Sequence, residues 1–262
     1  MKELLEKLKE TTKKLGEWLS EPPAPGASEA VLAEEEKETQ EEVSYKEYRA
    51  KKEQEAAEER AKVIGRAPRR EKKENEFEII IASDNHGDER SIEDLLVYHD
   101  EADFYLHCGD SNLIPTFHPM NKFTTVKGNT DYGLNYKNEE RIYLPTGEKI
   151  WMGHGHLFRV GSSPDVIISN GVVIGIMDDD RKNPDILLYG HLHKVDVRME
   201  EGFLVISPGS ITQPRDGSIK TYAQLFVTPT EYRVNIFNEQ TREIIKEFQF
   251  PRSHSQAHQS QE

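Results

Sequence analysis

From Phe77 onward, short apolar runs bounded by Gly, Pro, Asn and Asp alternate with helix-like stretches. That texture predicts a strand-rich α/β domain. Residues 77–83, 103–107, 149–152, 185–189 and 203–207 each read as a buried strand. Residues 221–228 and 231–237 read as a hairpin joined at a Thr-Pro-Thr turn, and residues 91–99 as a helix. Segment 162–182 is rich in Val and Ile yet long enough for a helix, so the pattern leaves it open.

Before Phe77 the pattern is different. Leu4, Leu5, Leu8, Leu15, Trp18 and Leu19 recur at roughly helical spacing and predict a short amphipathic helix over 2–19. A breaker-rich linker, 20–28, follows. Residues 29–64 are rich in Ala, Glu and Lys, which favours helix, but apolar positions are sparse. A solvated single helix and disorder are both compatible with this. The Ser, Gln and His tail after Pro251 is expected to fray. Three regions result: a charged helical or disordered extension over 1–76, a folded domain over 77–250, and a disordered tail over 251–262.

Composition sharpens this division. Of 262 residues, 34 are Lys or Arg and 48 are Asp or Glu, a net charge of −14, and only 35% are hydrophobic. So lean an apolar fraction implies that part of the chain does not pack. Residues 1–76 hold 17 basic and 20 acidic side chains, and a basic run from Arg60 to Lys73 has seven basic residues and one acid. No apolar run reaches the length of about 18 residues that a membrane span needs. The charged N-terminus has no apolar core of a secretory signal. The single cysteine, Cys108, excludes an intrachain disulfide framework and a Cys-rich zinc module, and a cytoplasmic location is expected. The acidic balance argues against tight nonspecific binding of nucleic acid.

The chemistry lies in six short motifs at the ends of the expected strands: Asp84-Asn-His86, Gly109-Asp110, Gly128-Asn129, Gly153-His154-Gly155-His156, Gly190-His191-Leu-His193 and Ser207-Pro-Gly-Ser210. In an extended backbone, residues i and i+2 point the same way, so Asp84 with His86, and His191 with His193, can each face one ion. Carboxylates, imidazoles and an amide oxygen suit Mn, Fe, Zn or Ni. Two divalent ions balance Asp84, Asp110 and a bridging hydroxide to a slightly positive site, a sink for a phosphate group. His99, His107, His118, His254 and His258 have no such context and read as core, surface or tail residues.

In order and spacing, these motifs resemble those of the calcineurin-like metallophosphoesterases, specifically the small single-domain phosphodiesterases of bacteria and archaea. The resemblance rests on Ser83-Asp-Asn-His-Gly87, His107-Cys-Gly-Asp110, Lys127-Gly-Asn-Thr-Asp131, Tyr189-Gly-His-Leu-His193 and Ser207-Pro-Gly-Ser-Ile211, and covers about residues 77–248. It implies two facing β-sheets flanked by helices, a four-layer α/β/β/α sandwich. It also implies Asp84, His86 and His193 on a first metal, Asn129, His154 and His191 on a second, and Asp110 bridging both. The cofactors would be two divalent ions, Mn first, with Ni, Fe or Zn as alternatives. Much of the wider superfamily has a histidine after Gly-Asn as the acid toward the leaving group, and here that place is Thr130. Asp131 and His156 are the nearest candidates for a proton donor or substrate contact.

The implied activity is two-metal hydrolysis of a small phosphodiester by a hydroxide that bridges the ions. Two rival readings keep the fold. One is a catalytically weak interaction scaffold, for which the retromer subunit of this fold is the precedent. The other is a nuclease that uses the basic run against nucleic acid. For the N-terminal extension two readings stay open: an arm that docks a protein partner or packs within the molecule, and a tethered, mostly disordered extension.

Overall fold

The computed structural model describes residues 29–71, 73–158, 168–169, 172–173, 184–200, 202–215 and 217–252. The expected helix over 2–19, its linker, most of 162–182 and the tail from 253 lie outside these described residues. The chain divides into two compact units, Met1–Arg66 and Ala67–Glu262.

The first unit contains one 36-residue helix, α1 (Glu29–Ile64), so the Ala-Glu-Lys composition resolves as helix. Pairs such as Arg49–Glu53 and Lys52–Glu55, four and three residues apart, sit on its surface. The helix ends where Gly65 takes φ +77° and donates its N–H to the Ala61 carbonyl.

The second unit is built on two mixed sheets. Its strands are β1 (Phe77–Ala82), β2 (Phe104–His107), β3 (Phe123–Thr125), β4 (Glu139–Tyr143), β5 (Lys149–Gly153), β6 (Ile168–Ser169), β7 (Val172–Val173), β8 (Ile186–Tyr189), β9 (Val195–Glu200), β10 (Phe203–Pro208), β11 (Thr221–Val227), β12 (Glu231–Asn238) and β13 (Ile244–Pro251). Six form one sheet in the order β13-β12-β11-β1-β2-β3, and five form the other in the order β4-β5-β8-β10-β9. The short β6–β7 ladder stands apart and accounts for the described part of the open segment.

The central strands are apolar on both faces because both faces are covered. Ile79 and Ile81 of β1 point between the sheets, where they join Leu106, Met152, Leu188, Ile206 and Leu225 in the main core. Ile80 and Ala82 point outward and pack with Ile92 and Leu95 of helix α2 (Glu89–Tyr98). Asp88 caps that helix by accepting the Ser91 N–H, which starts it two residues before the apolar pattern does. On the far side of the second sheet, Trp151, Leu187, Tyr189 and Phe203 form a smaller cluster.

Residues 67–76 are tied to the second unit. The Ala67 N–H donates to the Tyr98 carbonyl, and Arg70 pairs with Glu76 and Glu78. No described helix is long and apolar enough to cross a membrane.

Strands β1, β2 and β3 run parallel, as do β5, β8 and β10. Every motif singled out in the sequence lies at the carboxyl end of one of these strands. That is where open α/β sheets place their ligands.

Candidate metal centre

Two groups of ligand atoms converge at these strand ends: Asp84, His86 and His193 in one, and Asp84, Asp110 and His154 in the other. The resemblance makes Asp110 the carboxylate shared by both ions. In the structure the carboxylate common to both groups is Asp84. Its Oδ1 lies 3.3 Å from His193 Nε2 and 3.9 Å from His154 Nε2, is fully buried, and accepts no hydrogen bond. Its Oδ2 accepts from the Ser83 hydroxyl at 2.6 Å and from the His191 N–H at 3.1 Å.

The tautomers follow from the partners. A carbonyl only accepts, so the ring nitrogen facing it must carry the proton. His154 Nδ1 lies 2.7 Å from the Cys108 carbonyl, and His193 Nδ1 faces the Gln213 carbonyl. Asn112 Nδ2 donates to the Thr130 carbonyl at 2.7 Å, which orients the amide so that its Oδ1 accepts from His86 Nδ1 at 3.1 Å. Each of the three rings therefore turns an Nε2 lone pair inward, toward Asp84 Oδ1, Asp110 Oδ2 or another imidazole. Partners on the outer nitrogen are the usual support for metal-binding histidines.

With their outer nitrogens protonated, the rings face two carboxylates through Nε2, and such a cluster calls for positive charge, from a second ring proton or from a cation. The titration tendencies agree. Burial works against ionisation of Asp110, but the His154 hydrogen bond and charge, with the Thr130 donors, outweigh it and hold the carboxyl well below the usual range. Burial opposes the charge on Asp84 too, and His193, His154 and Ser83 more than offset it. Burial lowers His154 and His193, and the neighbouring carboxylates raise both above the ordinary value. The donor set and the orphaned Asp84 oxygen thus fit divalent cations.

The remaining expected ligands lie alongside. The Asn129 Oδ1 is 3.2 Å from His154 Nε2, and the His191 ring stands edge-on to His154 with centroids 5.1 Å apart. His191 is held below its ordinary value by burial and then by the His154 charge.

Asp131 and His156, the expected proton-donor candidates, separate. His156 is exposed, 5.3 Å centroid to centroid from His154, and burial and the two neighbouring imidazoles push it down to about 4. Asp131 is fully buried and faces the backbone. Its Oδ2 accepts the N–H groups of Asp110 and Gly128, and its Oδ1 accepts that of Asn112. It is a clamp under the site, not a group that faces a substrate.

The local backbone also differs from the expected extended one. Asp84, His86, Asp110, Asn112, His191 and His193 all have positive φ, between 46° and 86°. The i, i+2 spacing therefore works through paired left-handed residues in tight loops, a conformation that disfavours side chains with a Cβ. Hydrogen bonds hold these loops in place: Ser210 and Thr212 hydroxyls both donate to the Asp84 carbonyl. Gly190 closes the seam, since a Cβ there would run into Ser83, Asp84 Oδ2 and the Cys108 carbonyl. His99 and His107 are buried core residues, and His118 begins a 3₁₀ turn (His118–Lys122). His254 and His258 lie outside the described residues.

A cavity of about 650 Å³ lies elsewhere, on the outer face of the six-stranded sheet beside Arg70, His99, Phe226 and Arg233. None of the cluster residues line it.

Residues 77–229 match the family model of the calcineurin-like phosphoesterase superfamily domain. The chain belongs to this superfamily. A probable metallophosphoesterase of Bacillus subtilis, YsnB, is 31% identical over 169 residues, which covers 63% of this chain and 94% of the relative. A predicted phosphoesterase of Streptococcus pneumoniae, solved by crystallography, is 28% identical with a TM-score of 0.56 and covers 69% of this chain and all of its own. Vps29 of Chaetomium thermophilum shares the fold at 13% identity, with a TM-score of 0.52 over 68% of this chain and 98% of its own. The match lies within the second unit, whose two mixed sheets are those of the superfamily, and phosphoester hydrolysis is the superfamily's chemistry.

Proposed function

We propose that this protein is a metal-dependent phosphodiesterase with a dinuclear site, in which Asp84, His86 and His193 hold one divalent ion and Asn129, His154 and His191 the other. Asp110 would also help to hold them, and Asp84 is common to both clusters of ligand atoms. The observation that carries this reading is the buried, partnerless Asp84 Oδ1 flanked by the Nε2 atoms of His193 and His154. When bound, the ions supply Lewis-acid stabilisation of phosphoryl charge and lower the pKa of water near them. Manganese suits the mixed oxygen and nitrogen donors.

The chain's own residues position and polarise. Asp131 fixes the Asp110, Asn112 and Gly128 amides, and so fixes the loops that carry the ligands. His191 is half-buried and Asn129 exposed, so a phosphoryl group would reach the site from their side. Thr130 stands where many relatives have a proton-donating histidine, and its hydroxyl is engaged with Asn112. A diester with an aryl or nucleoside leaving group needs less protonation and suits such a site. A covalent cysteine route is disfavoured because Cys108 is buried and burial pushes its thiol well up.

The basic run gives little support to the nuclease reading. Among the described residues Lys62, Arg66, Arg69 and Arg70, four of its seven basic side chains, pair with Glu59, Glu58, Glu101 and Glu76. The scaffold reading has the fold of Vps29 behind it, but a scaffold has no need of a complete ligand set.

The test is hydrolysis of bis-p-nitrophenyl phosphate beside p-nitrophenyl phosphate, with Mn²⁺, with chelator, and with His191→Ala. Diester turnover that requires metal and is lost in the variant is expected. A clear preference for the monoester would overturn the substrate class. Failure to turn over either, with metal bound, would favour the scaffold.

A further inference from the structure

Besides Asp84, which both ligand groups share, a side chain outside them, Asn112, links His86 to the loop that holds Asp110. Asn112 has φ +51° and sits two residues past Asp110, in the loop that leaves β2. Its Oδ1 accepts from His86 Nδ1 at 3.1 Å. Its Nδ2 donates to the Thr130 carbonyl at 2.7 Å and contacts the Thr130 hydroxyl at 3.1 Å. Thr130 in turn donates its N–H to Asp110 Oδ1 at 2.7 Å and directly follows Asn129. Its hydroxyl lies 3.3 Å from Asn112 Oδ1. The Asn112 N–H donates to Asp131, which also holds the Asp110 N–H.

We infer that Asn112 is a positioning residue that couples the two metal sites, an assignment that rests on the dinuclear reading above. One end of the amide sets the His86 tautomer and ring orientation, so that Nε2 faces Asp84 and His193. The other end holds the Thr130 loop, which presents Asn129 and restrains Asp110. Because the amide has one oxygen and one nitrogen, it cannot rotate to serve either side without releasing the other. Binding of the first ion therefore orders the ligands of the second. The left-handed backbone at Asn112 is a conformation asparagine tolerates better than most residues with a Cβ.

The experiment is calorimetric titration of metal-stripped protein with Mn²⁺, in wild type, Asn112→Gly and Asn112→Asp. Glycine removes the amide and relaxes the positive φ, so the backbone is not strained by the change. Wild type is expected to bind two ions with the first assisting the second. Asn112→Gly is expected to weaken binding by about 10- to 100-fold, the usual effect of removing such a support, with the two ions binding independently. Asn112→Asp retains an acceptor for His86 but loses the donor to Thr130, and is expected to retain one tight site and lose the assistance. Unfolding in chelator, run on each variant, separates a general loss of stability from a loss at the site. Asn112→Gly that binds two ions as tightly and as cooperatively as wild type would overturn this assignment alone. Wild type that binds no Mn²⁺ would overturn the dinuclear reading and the assignment with it.

Discussion

Asp131 shows how a residue type read correctly from sequence can hold a different place from the one its spacing implied. An aspartate two residues beyond a candidate ligand asparagine has the chemistry of a proton donor, but its oxygens accept three backbone N–H groups beneath the site. Asp131→Ala is expected to destabilise the protein by about 4 kcal/mol, since it strands buried donors. Urea unfolding in chelator measures this without any contribution from catalysis. A variant as stable as wild type that turns over slowly would return Asp131 to the reacting groups. The residues that the structure brings together at the strand ends were legible because Asp, His and Asn flanked by glycine are uncommon after apolar runs. Asn112 escaped notice, although Asp110 and Asn112 repeat the i, i+2 rhythm of Asp84 with His86 and His191 with His193. The rhythm was legible, but its physical basis is paired left-handed residues and not an extended strand.

Among the elements, the strands that were legible are those with continuous apolar runs: β1, β2, β5, β8, β10 and the β11–β12 hairpin. The strands that were not, β4, β9 and β13, lie at sheet edges. An edge strand covers one face or none, so its sequence reads as mixed: β9 is Val-Asp-Val-Arg-Met-Glu, and only Phe248 and Phe250 of β13 pack on the main core. β3 is three residues long and too short to show a pattern. Where the loops between elements meet, tolerance is smallest. Gly190→Ala places a methyl group against Ser83, Asp84 Oδ2 and the Cys108 carbonyl. The expected cost is about 2–3 kcal/mol in chelator, with weakened Mn²⁺ binding because Asp84 must move. Unchanged Mn²⁺ affinity in this variant would mean that the seam between the sheets yields freely.

For the whole molecule, buried neutral histidines set an acid limit on stability. His107 is fully buried, takes the Gly109 N–H on Nδ1, and is pushed down from 6.5 to about 4 by burial, which outweighs the raising effect of nearby carboxylates. Its folded-state value is below its unfolded one, so the unfolded chain binds the proton first. The stability it contributes is complete above 6.5 and is lost as pH falls toward 4, up to roughly 3 kcal/mol. His107→Asn keeps an acceptor near Gly109 and does not titrate. In chelator, wild type is therefore expected to lose stability relative to this variant across that window. A difference that stays constant with pH would show that His107 does not carry the effect.

The ligands also have a bearing on the order of events in the life of the chain. They are drawn from the ends of β1, β2, β3, β5 and β8, and the Asp84 carbonyl is held by Ser210 and Thr212 beyond β10. A growing chain thus presents no finished site until nearly the whole domain has left the ribosome and folded. Under the proposed dinuclear reading, metal loading would be the closing act of its biosynthesis, because an unfinished copy has not yet gathered the candidate ligands.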